Sequence, residues 1–187
     1  MQRIWPDPAP LDEAGVIAAY APDRDRPNLR VNFVTSLDGA VEIHGYSRGL
    51  SSDVDRLVFG LLRMHADAVM VGAGTLRREN YHALSLDARR RAWRREQGLV
   101  ECPTLVIVTN ALELDPTWEV FTRAPVPPVV LTNSRAPLSR TAALADVAEV
   151  VRCGPDAVDL AAGLNELHRR GLTQVLCEGG PHLFGAL

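Results

Sequence analysis

Two short apolar runs in this chain of 187 residues end in glycine turns, and that repetition restricts the fold more than any other feature. Residues 66–81 read Ala-Asp-Ala-Val-Met-Val-Gly-Ala-Gly-Thr-Leu-Arg-Arg-Glu-Asn-Tyr: a strand-like run, a turn at Gly72 and Gly74, and a polar helical segment. Thr173 to Glu178 is a second such run, followed by Gly179, Gly180 and Pro181, with proline where a first helical turn accepts it. Glycine lets backbone approach a ligand closely, the first N–H groups of a helix lack internal partners, and the Thr75 hydroxyl adds a donor. A single turn of this kind serves any strand-to-helix connection. Two in one small domain point to a dinucleotide.

The rest of the pattern alternates strands with helices. Leu29 to Thr35 reads as a strand closed by Ser36-Leu37-Asp38-Gly39, where Asp-Gly signals a turn, and Val41 to Ile43 as a short continuation. Ser51 or Ser52 then offers a cap to a helix in which Val54, Leu57, Val58, Leu61 and Leu62 recur at helical spacing. Strands are expected at 68–71, 104–109, 129–131 and 148–151, and helices over 85–97, 139–145 and 156–170. Strands separated by helices predict a mainly parallel sheet. Residues 1–28, with Pro6, Pro8, Pro10, Pro22 and Pro27 around a helical stretch from Leu11 to Tyr20, form an arm ahead of a domain over 29–187.

Several function classes fall away. A formal charge of -3 gives no field for nucleic acid, and the arginines at 89, 90, 91, 94 and 95 read as a solvated helix face. All 20 basic residues are arginine, which removes lysine imines, pyridoxal phosphate attachment and the GxxxxGK[ST] loop. No GxGxxG is present, so the common doubly wound dinucleotide fold is not expected. Cys102, Cys153 and Cys177 have no CxxC spacing, and His44, His65, His82, His168 and His182 form no HExxH, so no metal site is expected. With no signal-like or membrane-length apolar run, the expected setting is the cytoplasm.

Ligands of open parallel sheets lie beyond the carboxyl ends of the strands, which selects 35–39, 72–75, Asn110, 132–135 and 178–180 as site wall. Ser36-Leu37-Asp38-Gly39, Arg63, the run from Asp67 to Thr75 with Glu79-Asn80 behind it, and Glu178-Gly-Gly-Pro181 occur in an order that resembles the reductase domain of riboflavin biosynthesis. In bacteria this is the C-terminal half of a bifunctional deaminase-reductase, within the dihydrofolate reductase-like superfamily. The resemblance spans 29–187 and implies a three-layer α/β/α fold with a mainly parallel sheet flanked by helices.

It also implies NADPH-dependent reduction of a ribosylaminopyrimidine 5′-phosphate, 5-amino-6-(5-phosphoribosylamino)uracil or its diamino precursor, to the ribityl compound. Carried over by position, Val34, Gly49, Gly72, Gly74, Thr75, Glu79, Asn110 and Gly179, Gly180, Pro181, His182 and Leu183 correspond to cofactor contacts. Ser47, Arg63 and Glu178 correspond to substrate contacts, with Arg63 the expected phosphate partner because a guanidinium fork pairs bidentately with phosphate. Glu178 is the first choice for proton handling on the sugar, with Asp38 next and Glu79 behind them. Asn110 and the loop Thr132-Asn133-Ser134-Arg135 are expected to receive the adenosine 2′-phosphate.

The sequence departs from the family at three points. It lacks HxE with PCxxC, so no pyrimidine deamination is expected. Gly49 stands where relatives carry an aromatic residue, and the chain stops at Leu187 where the family continues into further strands, as a truncated chain would. An uncovered sheet edge favours association, and the family forms homodimers. Two other readings share the fold: reduction of a pterin, and nucleotide binding without turnover.

Overall fold

The computed structural model describes residues 1–79 and 81–187. Six parallel strands build the central sheet: β3 (Asn28–Val31), β4 (Ala68–Gly72), β5 (Thr104–Val108), β6 (Val129–Thr132), β7 (Glu149–Arg152) and β8 (Gln174–Cys177). A small antiparallel pair, β1 (Gln2–Arg3) and β2 (Ala9–Pro10), precedes them. The helices are α1 (Glu13–Ala19), α2 (Asp53–His65), α3 (Ala73–Arg78), α4 (Ala88–Glu96), α5 (Glu119–Thr122), α6 (Leu138–Leu144), α7 (Leu160–Arg169) and α8 (Pro181–Phe184). The expected α/β architecture, a parallel sheet accompanied by helices, is present.

Side chains of successive strand residues point to opposite faces, and here both faces are apolar. Val69, Val71, Leu105, Ile107, Val130 and Leu176 face one way and pack with Leu62 of α2, Leu76 of α3, Phe121 of α5 and Leu144 of α6. Ala68, Met70, Val106, Leu131, Val175 and Cys177 face the other way, against Leu167 of α7 and Leu183 of α8. The continuous apolar runs in the sequence follow from this double burial.

Strand order is β3-β8-β4-β5-β6-β7. The last strand in sequence inserts beside β4 and brings the two glycine turns together. Glu178 N donates to Met70 O at 2.9 Å and Gly72 N to Gly179 O at 2.8 Å. Some element ends differ from expectation. β3 stops at Val31, short of Thr35, because its partner β8 turns away after Cys177 and the last bond across the pair is from Asn32 N to Cys177 O. Residues 41–43 make only an isolated bridge between Ile43 and Tyr46. α4 and α7 begin later than expected, at Ala88 and Leu160, where Asp87 and Asp159 accept from Arg90 N and Ala162 N as N-caps.

Arg94 overturns the reading of its helix as a solvated face. It is 1% exposed, and its guanidinium donates to Met64 O at 2.9 Å, Ala66 O at 2.6 Å and Val100 O at 2.6 Å. Burial pushes its pKa down to about 10. A buried cation facing backbone carbonyls at the end of α2 satisfies acceptors that the helix leaves open and complements its dipole. The last turn of α2, which carries Arg63, is fixed by this contact.

Candidate active site

Two clefts open at the carboxyl end of the sheet and meet at the paired glycine turns. The first, about 410 Å³, is floored by Gly72, Ala73, Gly74 and Thr75 from one turn and by Gly180, Pro181, His182 and Leu183 from the other. Val108 to Ala111, at the end of β5, and Val158 and Leu160, at the start of α7, also line it. Its floor is backbone. A Cβ on Gly180 would sit 2.7 Å from Thr75 Oγ1, while one on Gly74 would meet nothing within 4 Å. Gly179 has φ 90°, and a Cβ there would lie 2.7 Å from the ring of Phe33. The floor thus combines glycine backbone with the Thr75 hydroxyl, groups that suit close approach of a phosphorylated ligand.

The second cleft, about 370 Å³, is made of side chains: Phe33, Val34, Ser47, Phe59, Arg63, Thr75, Glu79, Tyr81 and Glu178 among them. Thr75 borders both clefts. Volumes of this order suit small-molecule sites.

At the centre of the second cleft, Arg63 and Glu178 form a bidentate pair: Nε to Oε1 at 2.6 Å and Nη2 to Oε2 at 2.7 Å. Tyr81 completes it, with its hydroxyl donating to Glu178 Oε2 at 2.7 Å and accepting from Arg63 Nη2 at 2.7 Å. The Glu178 side chain is 3% exposed and that of Arg63 20%. Phe59 lies under the guanidinium, 4.2 Å from its carbon to the ring centroid. Burial alone would lower the Arg63 pKa, but the hydrogen bonds and charge of Glu178 more than offset it and hold the guanidinium well above its ordinary value. Burial, reinforced by the charge of Glu178, pushes the Tyr81 phenol well up and keeps its proton in place. The cluster therefore presents a fixed cation, a carboxylate and a protonated phenol beside the point where the clefts join.

The structure gathers most of the expected residues but redistributes them. Gly72, Gly74, Thr75, Asn110, Gly180, Pro181, His182 and Leu183 line the first cleft. Val34 and Glu79, expected at the cofactor, border the second instead. Glu79 Oε1 accepts from the backbone N and the hydroxyl of Ser47 at 3.1 and 3.0 Å, a clasp that anchors the 3-10 turn Ser47–Gly49. Gly49 borders neither cleft and packs on Ile43. Arg63 and Ser47 lie in the second cleft as expected, but the Arg63 fork is taken by Glu178 and not held open for a phosphate.

Asp38 lies outside the lining of both clefts. It sits fully exposed in the turn, accepts from the Ser36 hydroxyl, and has its pKa lowered first by that bond and then by the Ala40 backbone. Gly39 at φ 88° completes a local turn that reaches no cleft residue. The 132–135 loop also lies outside the groove lining. Thr132 and Asn133 are buried, Asn133 Nδ2 donates to Asn110 O at 3.1 Å, and Arg135 turns out to Asp156 at 2.6 Å. Asn110 Oδ1 is occupied by Val158 N at 2.8 Å, so Asn110 fastens the groove wall as well as lining it. Asn80 lies outside the described residues. Sequence reasoning missed Tyr81 as a site residue, because a lone tyrosine after a helix carries no signal; only its meeting with residues 63 and 178 gives it a role. Among the described residues no cluster of three or more His, Cys, Asp or Glu could hold a metal.

Residues 27–187 match the sequence model of the RibD C-terminal domain. The chain belongs to the RibD C-terminal domain family. Among similar proteins is the 2,5-diamino-6-ribosylamino-4(3H)-pyrimidinone 5′-phosphate reductase of Archaeoglobus fulgidus, 29% identical over 87% of this chain and 74% of the relative. The protein of the same name from Methanothermobacter thermautotrophicus is 31% identical over 84% of this chain and 69% of its own length. A pyrimidine reductase-like protein from Corynebacterium diphtheriae superposes with a TM-score of 0.76 at 30% identity, over 83% of this chain and 66% of that one. The chain thus spans about two thirds of that neighbour's length. These findings agree with the resemblance drawn from the Gly-Ala-Gly-Thr and Glu-Gly-Gly turns, and they place both clefts within the matched residues.

Proposed function

We propose that this RibD C-terminal domain is an NADPH-dependent reductase of riboflavin biosynthesis that converts the ribosyl group of a ribosylaminopyrimidine 5′-phosphate to ribityl. The observation that carries the reading is the meeting of a backbone-floored dinucleotide groove and a charged cleft at Thr75. Direct transfer between two ligands needs their reacting atoms within contact of each other, and a shared wall residue supplies that. NADPH, when bound, provides the hydride. The names of the archaeal relatives favour the diaminopyrimidinone as substrate.

The ribosylamine ring opens by breaking the bond from the sugar carbon C1′ to the ring oxygen, leaving an imine and a hydroxyl. Hydride then adds to C1′ and the imine nitrogen takes a proton, giving the secondary amine of the ribityl product. In this reading Glu178, which shares the second cleft with Thr75 and is oriented by two other side chains, holds the sugar hydroxyls and passes a proton. Tyr81 and Arg63 fix its carboxylate. The three buried, unpaired cysteines suit a reducing cytoplasm. We further propose a homodimer, since β3 forms one edge of the sheet. Following NADPH absorbance with the diamino and the deaminated ribosylaminopyrimidine phosphates side by side tests the function. Turnover of the diamino compound is expected; NADPH binding with no oxidation by either would leave only a nucleotide-binding protein.

A further inference from the structure

The loop expected to recognise the adenosine 2′-phosphate does not reach the groove, so a different cation must serve if the cofactor is NADPH. The nicotinamide end has to lie at Thr75, where the clefts meet, which sends the adenosine toward Asn110 and Ala111. Two guanidiniums converge there from separate helices. Arg77 of α3 lines the groove and donates from Nη1 to Glu113 O at 3.3 Å. Arg140 of α6 donates to Ala111 O at 2.6 Å and lies 3.4 Å from Glu113 Oε1. The neighbouring Arg78 also lines the groove but reaches toward Glu42 at 3.7 Å, near the junction with the second cleft.

We propose that Arg77, with Arg140 behind it, is the specificity determinant that selects the 2′-phosphorylated dinucleotide. The proposal rests on the cofactor reading above. Arg140 lies against the Glu113 carboxylate while Arg77 meets only a backbone carbonyl, so among the described residues the Arg77 charge has no carboxylate partner where a phosphate monoester would lie. The bond from Arg77 to Glu113 O is long and to a neutral acceptor, so a phosphate oxygen displaces it readily. Arg140 holds the loop carbonyl and adds charge.

The test uses binding as well as turnover. NADPH and NADH are titrated against the wild-type chain, Arg77→Gln, Arg140→Gln and Arg135→Gln, with 2′-phosphoadenosine 5′-phosphate and adenosine 5′-phosphate as probes that lack nicotinamide. Loss of a charge-assisted bond predicts that Arg77→Gln lowers the preference for the 2′-phosphorylated member of each pair by about 10-fold or more, with NADH affinity little changed. Arg140→Gln lowers it less, and Arg135→Gln leaves it where it was. An unchanged preference in Arg77→Gln, or a preference lost in Arg135→Gln, overturns the assignment alone. No preference in the wild-type chain overturns the NADPH reading together with it.

Discussion

The two clefts are built from different materials. The groove floored by Gly72, Gly74 and Gly180 is a backbone surface set by two neighbouring strand ends. The cleft around Glu178 is a side-chain assembly: its carboxylate lies 115 positions from Arg63 and 97 from Tyr81 in sequence, and all three are in hydrogen-bond contact. A backbone surface tolerates side-chain exchange and fails when a Cβ intrudes. A buried charge cluster fails when one member is removed, because the rest are left without partners. Substitutions should therefore sort by cleft.

Glu178→Gln should give the largest effect. It keeps the shape and takes away the charge, so turnover is expected to fall by about 10²–10⁴-fold, while NADPH titration still shows binding, because the groove is untouched. Intact turnover would remove Glu178 from the chemistry and erase the contrast between the two clefts. Next is Arg63→Met, which leaves a carboxylate that is 3% exposed without its cation. The expected loss is about 3–5 kcal/mol in urea unfolding. A loss below about 1 kcal/mol would mean that the pair behaves as a surface ion pair.

On the groove side, Gly179→Ala puts a Cβ 2.7 Å from the Phe33 ring at φ 90°. About 1–3 kcal/mol of stability should go, together with NADPH affinity, since the turn that forms the floor must shift. Unchanged affinity would deny the backbone its role. Tyr81→Phe is the mildest, about 1 kcal/mol, because Arg63 still holds both carboxylate oxygens.

Tyr81 also sets a pH dependence. Its folded pKa is raised above the ordinary 10.0, first by burial and then by the Glu178 charge, so the unfolded chain loses the phenolic proton first. The stabilisation is complete below the ordinary value and is lost as pH rises toward the folded one. Denaturation series from about pH 9 to pH 11 should show the wild-type chain losing stability more steeply than Tyr81→Phe. Parallel curves would count against the buried phenol.

What the sequence disclosed follows the same division. The backbone-built groove was legible because glycine and proline at strand ends declare a turn locally. The parallel sheet was legible because apolar runs of strand length alternate with amphipathic helices. The cleft was legible only in part: the resemblance supplied Arg63, Ser47 and Glu178, but not that Glu178 would occupy the Arg63 fork, which depends on strand order. The exposure of Asp38 was not legible, because a turn aspartate and a catalytic aspartate look alike in sequence. Arg94 misled because one member of an arginine-rich helix can face inward when carbonyls at a helix end await a donor. Val34 and Glu79, expected at the cofactor, border the neighbouring cleft, as a list of positions carries no partition between two ligands that touch.

The central claim is direct transfer between ligands that meet at Thr75. We would supply NADPH deuterated at both positions of nicotinamide C4, together with the diaminopyrimidinone ribosyl phosphate, and analyse the product by mass spectrometry and NMR. The account predicts one deuteron, carried on the ribityl C1′. A reduced product without deuterium, or no reduction of either pyrimidine by a chain that binds NADPH, would contradict it.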